Sequence, residues 1–215
     1  MRAFTFQQGG VPWPAGLTLL HVYVTANLAR CSGLAAMIAS CRDITRGEPL
    51  AHVGDPWLHI TLCQVLTPAS SVDEGQRAAL AASIGEKLID VDPFTITVGP
   101  PFPVPTGVLL GVATGPLDLV RQTVSDAVAG VLGAGAVGGN TSPLHMTESY
   151  AYGDADDARI ESKLAAVRRR HASLLVEGVD LVDVSADQAA KTITWTLVSR
   201  IPLSLSRSLS HEHQE

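Results

Sequence analysis

Two tripeptides in this sequence each pair an imidazole with a hydroxyl. His59-Ile60-Thr61 lies in "WLHITLCQV", and His145-Met146-Thr147 lies in "PLHMTESYAYG". Both stretches read as strands, where residues i and i+2 point to one face. Each histidine therefore has a threonine beside it, while Leu58, Ile60 and Leu62 take the opposite, core-facing side. A single histidine of this kind is by default a hydrogen-bonded structural residue. Two of them with matched threonines, at 59 and 145, form a pair whose roles fit together.

Two imidazoles suit a reaction that needs a proton removed at one place and delivered at another. The ordinary imidazole pKa of about 6.5 allows one ring to be neutral while the other is protonated. A phosphodiester has this need. The attacking oxygen loses a proton, the leaving oxygen gains one, and in-line displacement puts the two on opposite sides of phosphorus. Threonine hydroxyls can hold the non-bridging oxygens and stabilise charge there. The scheme calls for no metal. A tetrahedral zinc site takes three or four ligands, and each H-x-T supplies one.

The elements that must position these residues follow from hydrophobic period. Strand-like runs cover 17–26, 57–65, 92–99, 106–113, 143–152, 175–185 and 190–201. Helical period appears over 27–46, 73–89, 116–132 and 155–172. Ser71 and Glu74 have capping-box spacing before the second helix, Pro116 sits in the first turn of the third, and Asp154 is placed to cap the fourth. After the first strand, the order helix, strand, helix, strand, strand occurs twice. Corresponding segments start 82 to 89 residues apart, which predicts an internal duplication. The two H-x-T strands are equivalent members of its halves, so two lobes related by a pseudo-twofold would face their pairs across one cleft.

With this order and these motifs, the chain resembles the 2H phosphoesterase superfamily, and within it the bacterial 2′-5′ RNA ligase (LigT-like) and cyclic phosphodiesterase branch. The residues that carry the resemblance are H-I-T-L from His59 and H-M-T-E from His145, with the element order over 17–203. It implies a bilobal α+β fold, with two antiparallel sheets lining a central cleft and helices outside. It implies one domain over 1–203, with interleaved lobes from halves at 17–113 and 116–203, and a flexible tail at 204–215. It implies that His59 and His145 are the acid/base pair and that Thr61 and Thr147 bind phosphate. The substrates implied are 2′,3′-cyclic phosphates or 2′-5′-linked nucleotides and short RNA, without cofactor. Ligation would use the same groups in reverse, and a weak catalyst would remain a nucleotide-binding module. One residue departs from the pattern: after the second threonine the family usually has an apolar residue, and here it is Glu148. Strand parity sends it to the face opposite His145.

Composition bounds the partners. The net charge of −6 argues against a protein that grips long nucleic acid by its phosphates. The one dense basic run, Arg168-Arg169-Arg170, reads as a solvated helix end. Three cysteines without C-x-x-C spacing fit a reducing compartment. Strand parity turns Cys63 toward the side of His59. There is no apolar run of signal-peptide type near the amino terminus and none of membrane-spanning length, so a cytoplasmic protein without a membrane partner is expected.

Other features have plainer readings. Gly133 to Gly138 matches G-x-G-x-x-G, but a dinucleotide fingerprint follows a strand and opens a helix. This one follows a helix and leads into a strand, as a lead-in loop that can rim the cleft. Asn140-Thr141-Ser142 matches a glycosylation sequon without a secretory signal, and His211 and His213 lie isolated in the tail. His21 reads as a sheet histidine, His52 as a loop residue within reach of substrate, and His171 as a helix end. Phe102 is the aromatic best placed to stack on a base. Tyr150 and Tyr152 share parity with Met146, and face away from the cleft unless the strand bulges.

Overall fold

The computed structural model describes residues 1–204, apart from 9, 15, 114 and 139–141. The strands are β1 (Gln7–Gln8), β2 (Val11–Pro12), β3 (Leu19–Thr25), β4 (Leu50–His52), β5 (His59–Pro68), β6 (Phe94–Val104), β7 (Gly107–Val112), β8 (His145–Ala151), β9 (Ala172–Val176), β10 (Gly178–Asp187) and β11 (Thr192–Pro202). The helices are α1 (Ser32–Ile44), α2 (Glu74–Lys87), α3 (Pro116–Leu132) and α4 (Asp157–Ala165).

Eight strands run in the order β11-β10-β3-β5-β8-β7-β6-β9, and β4 pairs with the far end of β8. The pairs are antiparallel throughout, as expected for an α+β fold. The two expected sheets are continuous at one point: β5 and β8 share the single pair Ile60↔Met146. On either side lie four strands, β11-β10-β3-β5 and β8-β7-β6-β9.

The duplication is written in the pairing register. In β3–β5 the partners are His21↔Gln64, Val22↔Cys63, Tyr23↔Thr61, Val24↔Ile60 and Thr25↔His59. In β7–β8 they are Gly107↔Tyr150, Val108↔Ser149, Leu109↔Thr147, Leu110↔Met146 and Gly111↔His145. Each residue of the second set is numbered 86 above its counterpart. Even the irregularity repeats: Leu62 and Glu148, each the residue after the motif threonine, are skipped as β-bulges.

Helices exchange between the halves. α2 and α3 pack together and against β11 and β5, whereas α1 and α4 pack against β9 and β6. The apolar stripe of α3, Leu117, Val120, Val124, Ala127 and Val128, is fully buried. Each of its large side chains contributes on the order of 1.5–3 kcal/mol by leaving water. Leu58, Ile60, Leu62 and Met146 belong to the same core and are also fully buried. The two H-x-T pairs therefore stand on a face whose reverse is a packed core.

Several boundaries differ from the sequence expectation. The capping box of α2 is built by Asp73 and Gln76, two residues past Ser71, because Ala69–Ser71 form a short turn first. α4 is capped by Asp156 and ends at Ala165. Arg168–His171 are therefore not a helix end: the chain leaves the helix so that Ala172 can pair with Val98. β6 runs on through the proline-rich stretch to Val104, past the expected end at 99, and the run 175–185 is two strands broken at Glu177. β4 arises between the expected helix at 27–46 and the expected strand at 57–65. Residues 205–215, with His211 and His213, and Asn140 and Thr141 of the sequon lie outside the described residues.

Candidate active site

The pair Ile60↔Met146 is the centre of the site. Their side chains go to the core, so their strand neighbours point into the cleft. Antiparallel register sets His59 across from Thr147 and Thr61 across from His145. His59, Thr61, His145 and Thr147 line one cavity of about 230 Å³. An adjoining cavity of about 220 Å³ shares Thr61, Gln64 and His145 with it, and is completed by Gly138, Ser142, Pro143 and Leu144. The sequence-predicted quartet thus meets in one place, with space on both sides of the Thr61–His145 line.

Both imidazoles are held in the same way. His59 Nδ1 lies 2.8 Å from the Trp57 carbonyl oxygen, and His145 Nδ1 lies 2.9 Å from that of Pro143. A carbonyl only accepts, so each Nδ1 carries the proton and donates it. This leaves Nε2 as the nitrogen that can exchange a proton with a ligand.

Their surroundings differ. The His59 ring stacks on Tyr23, with centroids 4.0 Å apart and planes at 22°, and Trp195 closes it edge-on at 5.0 Å. His59 is 8% exposed, and His145 is half-buried. Burial pushes the His59 pKa down to about 4, against a raising effect of the Trp57 carbonyl, and charge on nearby His145 lowers it further. His59 is therefore neutral at neutral pH.

Each threonine has a tyrosine partner. Tyr23, opposite Thr61 in the register, is hydrogen-bonded to it, and Tyr150 is hydrogen-bonded to Thr147. Burial raises both phenol pKa values, that of Tyr150 to about 12, so each tyrosine keeps its proton. In each pair either hydroxyl can donate, and when the phenol does, the threonine O–H is left for a ligand. The Tyr23 hydroxyl also lies 2.7 Å from His21 Nδ1. His21 is buried as expected, and burial holds its pKa down at about 3.

The bulges decide what else reaches the cleft. Beyond Leu62 the alternation of β5 shifts, so Gln64 lines the cavity and Cys63 does not. Cys63 Sγ instead donates to the Gln64 carbonyl at 3.5 Å, with Ser125 of α3 beside it. This corrects the expectation that Cys63 shares the side of His59. Beyond Glu148, the same shift carries Tyr150 into the cavity.

Glu148 itself is fully buried on the other side of the sheet. Its Oε1 lies 2.9 Å from Nδ1 of His52 on β4 and 3.9 Å from Arg42 Nε of α1. His52 is thus bound to a carboxylate and does not line the cavity. Phe102 pairs with Leu109 across β6–β7, is 38% exposed, and stands one strand out from the cavity without lining it.

The aromatic residues that do line it are Phe4, Phe6, Trp13, Tyr23 and Tyr150. Sequence reasoning missed Phe4, Phe6 and Trp13 because the amino-terminal stretch has no strand or helix period to place it. Among the described residues, no Lys or Arg lines either cavity. Among the described residues, no three His, Cys, Asp or Glu side chains gather as metal ligands, and no helix is long and apolar enough to cross a membrane.

No protein-family model matches the sequence, and no curated protein matches it. Solved structures do match in fold. TT0787 of Thermus thermophilus superposes with a TM-score of 0.64 at 16% identity, over 86% of this chain and 97% of that one. E. coli LigT complexed with 3′-AMP gives 0.60 at 17% identity, over 88% and 99%. The ns2 PDE domain of MHV gives 0.53 at 11% identity, over 78% and 99%. The fold is the one these structures share, an α+β fold as expected.

Proposed function

We propose that this chain is a 2H phosphoesterase that cleaves a 2′,3′-cyclic phosphate or a 2′-5′-linked nucleotide without a metal ion. The observation that carries the reading is the crossed arrangement around Ile60↔Met146, in which each histidine lies across from the other motif's threonine. The LigT structure with 3′-AMP adds support, because its fold holds a nucleotide monophosphate of the kind that opening a cyclic phosphate yields.

In the proposed reaction a cyclic phosphate sits between Thr61 and Thr147, whose hydroxyls donate to its non-bridging oxygens. His59, neutral and presenting Nε2, takes a proton from the attacking water. The new P–O bond forms as one ring P–O bond breaks on the far side. His145, protonated, gives its Nε2 proton to the departing ribose oxygen. Tyr23 and Tyr150 fix the direction of the threonine hydroxyls before the substrate arrives, so little reorganisation accompanies the reaction.

A panel of 2′,3′-cyclic nucleotides, ADP-ribose cyclic phosphate and 2′-5′ oligoadenylates tests the reading. Turnover by the wild type that persists in EDTA and is lost in His59→Ala and in His145→Ala is expected. Full turnover in both variants would sink it.

A further inference from the structure

The amino-terminal segment lies across the site. Arg2 N–H donates to the Pro105 carbonyl at 2.7 Å, and Phe4 N–H donates to that of Ala151 at 2.8 Å. Both acceptors lie on the four-strand side of the sheet that carries His145, β8-β7-β6-β9. On the other side, Phe6 N–H donates to Gln188 Oε1 at 2.8 Å. Gln188 Nε2 and Lys191 Nζ donate to the Phe4 carbonyl at 2.9 and 2.7 Å. Gln188 and Lys191 lie in the β10–β11 turn, on the four-strand side of the sheet that carries His59, β11-β10-β3-β5. The segment is thus a strap tied to both sides.

The strap also forms a wall of the cavity. Phe4 stacks on Tyr150 at 4.7 Å, Phe6 meets Tyr150 edge-on at 5.0 Å, and Phe4 and Phe6 meet each other at 5.0 Å. Phe6 is 3% exposed. Tyr150 is the residue that bonds Thr147, so this cluster begins where a bound phosphate would be held. The cavity, about 230 Å³, is smaller than the ~300–1,000 Å³ common for small-molecule sites.

We propose that the strap is a fixed aromatic roof that makes this compartment a dead end, so that it takes one terminal nucleoside and refuses a chain that continues past it. This rests on the phosphoesterase reading for the identity of the ligand. A base gains a stacking surface from the cluster, whereas a 5′-extended oligonucleotide would have to pass through Phe4 and Phe6. With no cation among the lining residues, the compartment suits a single phosphate charge rather than a polyphosphate.

Binding separates the roof from the chemistry. A nucleoside 3′-monophosphate and the same nucleotide extended at its 5′ side by two nucleotides are titrated by calorimetry. Turnover is followed in parallel with the corresponding 2′,3′-cyclic phosphates. The wild type is expected to bind the mononucleotide about tenfold or more tighter, the scale of one lost stacking contact. Phe4→Ala/Phe6→Ala is expected to bring the two affinities together. Gln188→Ala/Lys191→Ala unties the strap without entering the core, and is expected to narrow the ratio as well if the first variant fails to fold. Equal binding by the wild type, or an unchanged ratio in a folded variant, overturns the roof. Selective binding without turnover upholds the roof and overturns the catalytic reading, and no binding of either ligand overturns both.

Discussion

Tyr23 lies face to face with His59, ring centroids 4.0 Å apart, and the residue at the matching position beside Thr147 is Leu109. The register is the same at both places but the residue differs, and this separates two histidines that share one backbone setting. His59 is enclosed by Tyr23 and Trp195; His145 is open. Enclosure disfavours the imidazolium, so His59 is the base of the proposed pair. The acid limb of kcat/KM is expected near pH 4, where His59 takes up a proton, well below the 6.5 of a free imidazole. Trp195→Ala lets water reach the ring and is expected to move that limb upward. A limb that stays in place in a folded Trp195→Ala variant would assign the base elsewhere.

The tyrosine partners give a second expectation. Tyr23→Phe and Tyr150→Phe each keep the ring and remove one O–H. The threonine hydroxyl is then free to turn away from the phosphate. A loss of about tenfold to a hundredfold in kcat is expected from each, smaller than the loss of a histidine, on the scale of one misdirected charge-stabilising donor. Steady-state kinetics decide it. A change in KM alone would make these residues part of ground-state binding.

Much of this site was legible in the sequence, for a physical reason. Period-two alternation fixes the face of a residue, so His59 and Thr61 could be paired without a structure, and His145 and Thr147 likewise. What parity cannot show is a bulge. Leu62 and Glu148 each shift the alternation by one, which takes Cys63 out of the cleft and brings in Gln64 and Tyr150. The strap was hidden because Phe4 and Phe6 are set by contacts distant in sequence, to Tyr150, Gln188 and Ala151. The offset of the two halves could be read only roughly from segment starts, since helix ends such as Ala165 vary while strand register does not.

Glu148 marks where the two motifs differ, and the bulge removes it from the chemistry. Its carboxylate is buried against His52, Oε2 has no hydrogen-bond partner, and Arg42 Nε, also without one, is too far for more than a long ion pair. A half-satisfied buried charge contributes little net stability, although breaking it leaves a costly orphan. His52→Leu is therefore expected to destabilise the fold by about 3 kcal/mol, and Glu148→Leu added to it to restore most of that. Denaturant unfolding of the cycle measures it. Activity in Glu148→Leu alone is expected within a few-fold of the wild type, because its side chain and the His145 ring lie on opposite faces.

The buried histidines also set the pH dependence of folding. His21 is held near 3 and His59 near 4 in the folded chain, against 6.5 when unfolded. Between these values and 6.5 the unfolded chain binds more protons, so stability rises with pH through that window. The contribution is complete above about pH 6.5 and is lost as the pH falls toward 4 and then 3. His21 Nε2 has no partner and its Nδ1 meets only the Tyr23 hydroxyl, so nothing in its surroundings offsets the burial of a charge. His21→Gln, which cannot take up a proton, is expected to be less stable at pH 7 through imperfect packing. It should also show a flatter decline in Tm between pH 6.5 and 4. Thermal unfolding of both proteins across that range checks the slope, and parallel curves would remove His21 from the account.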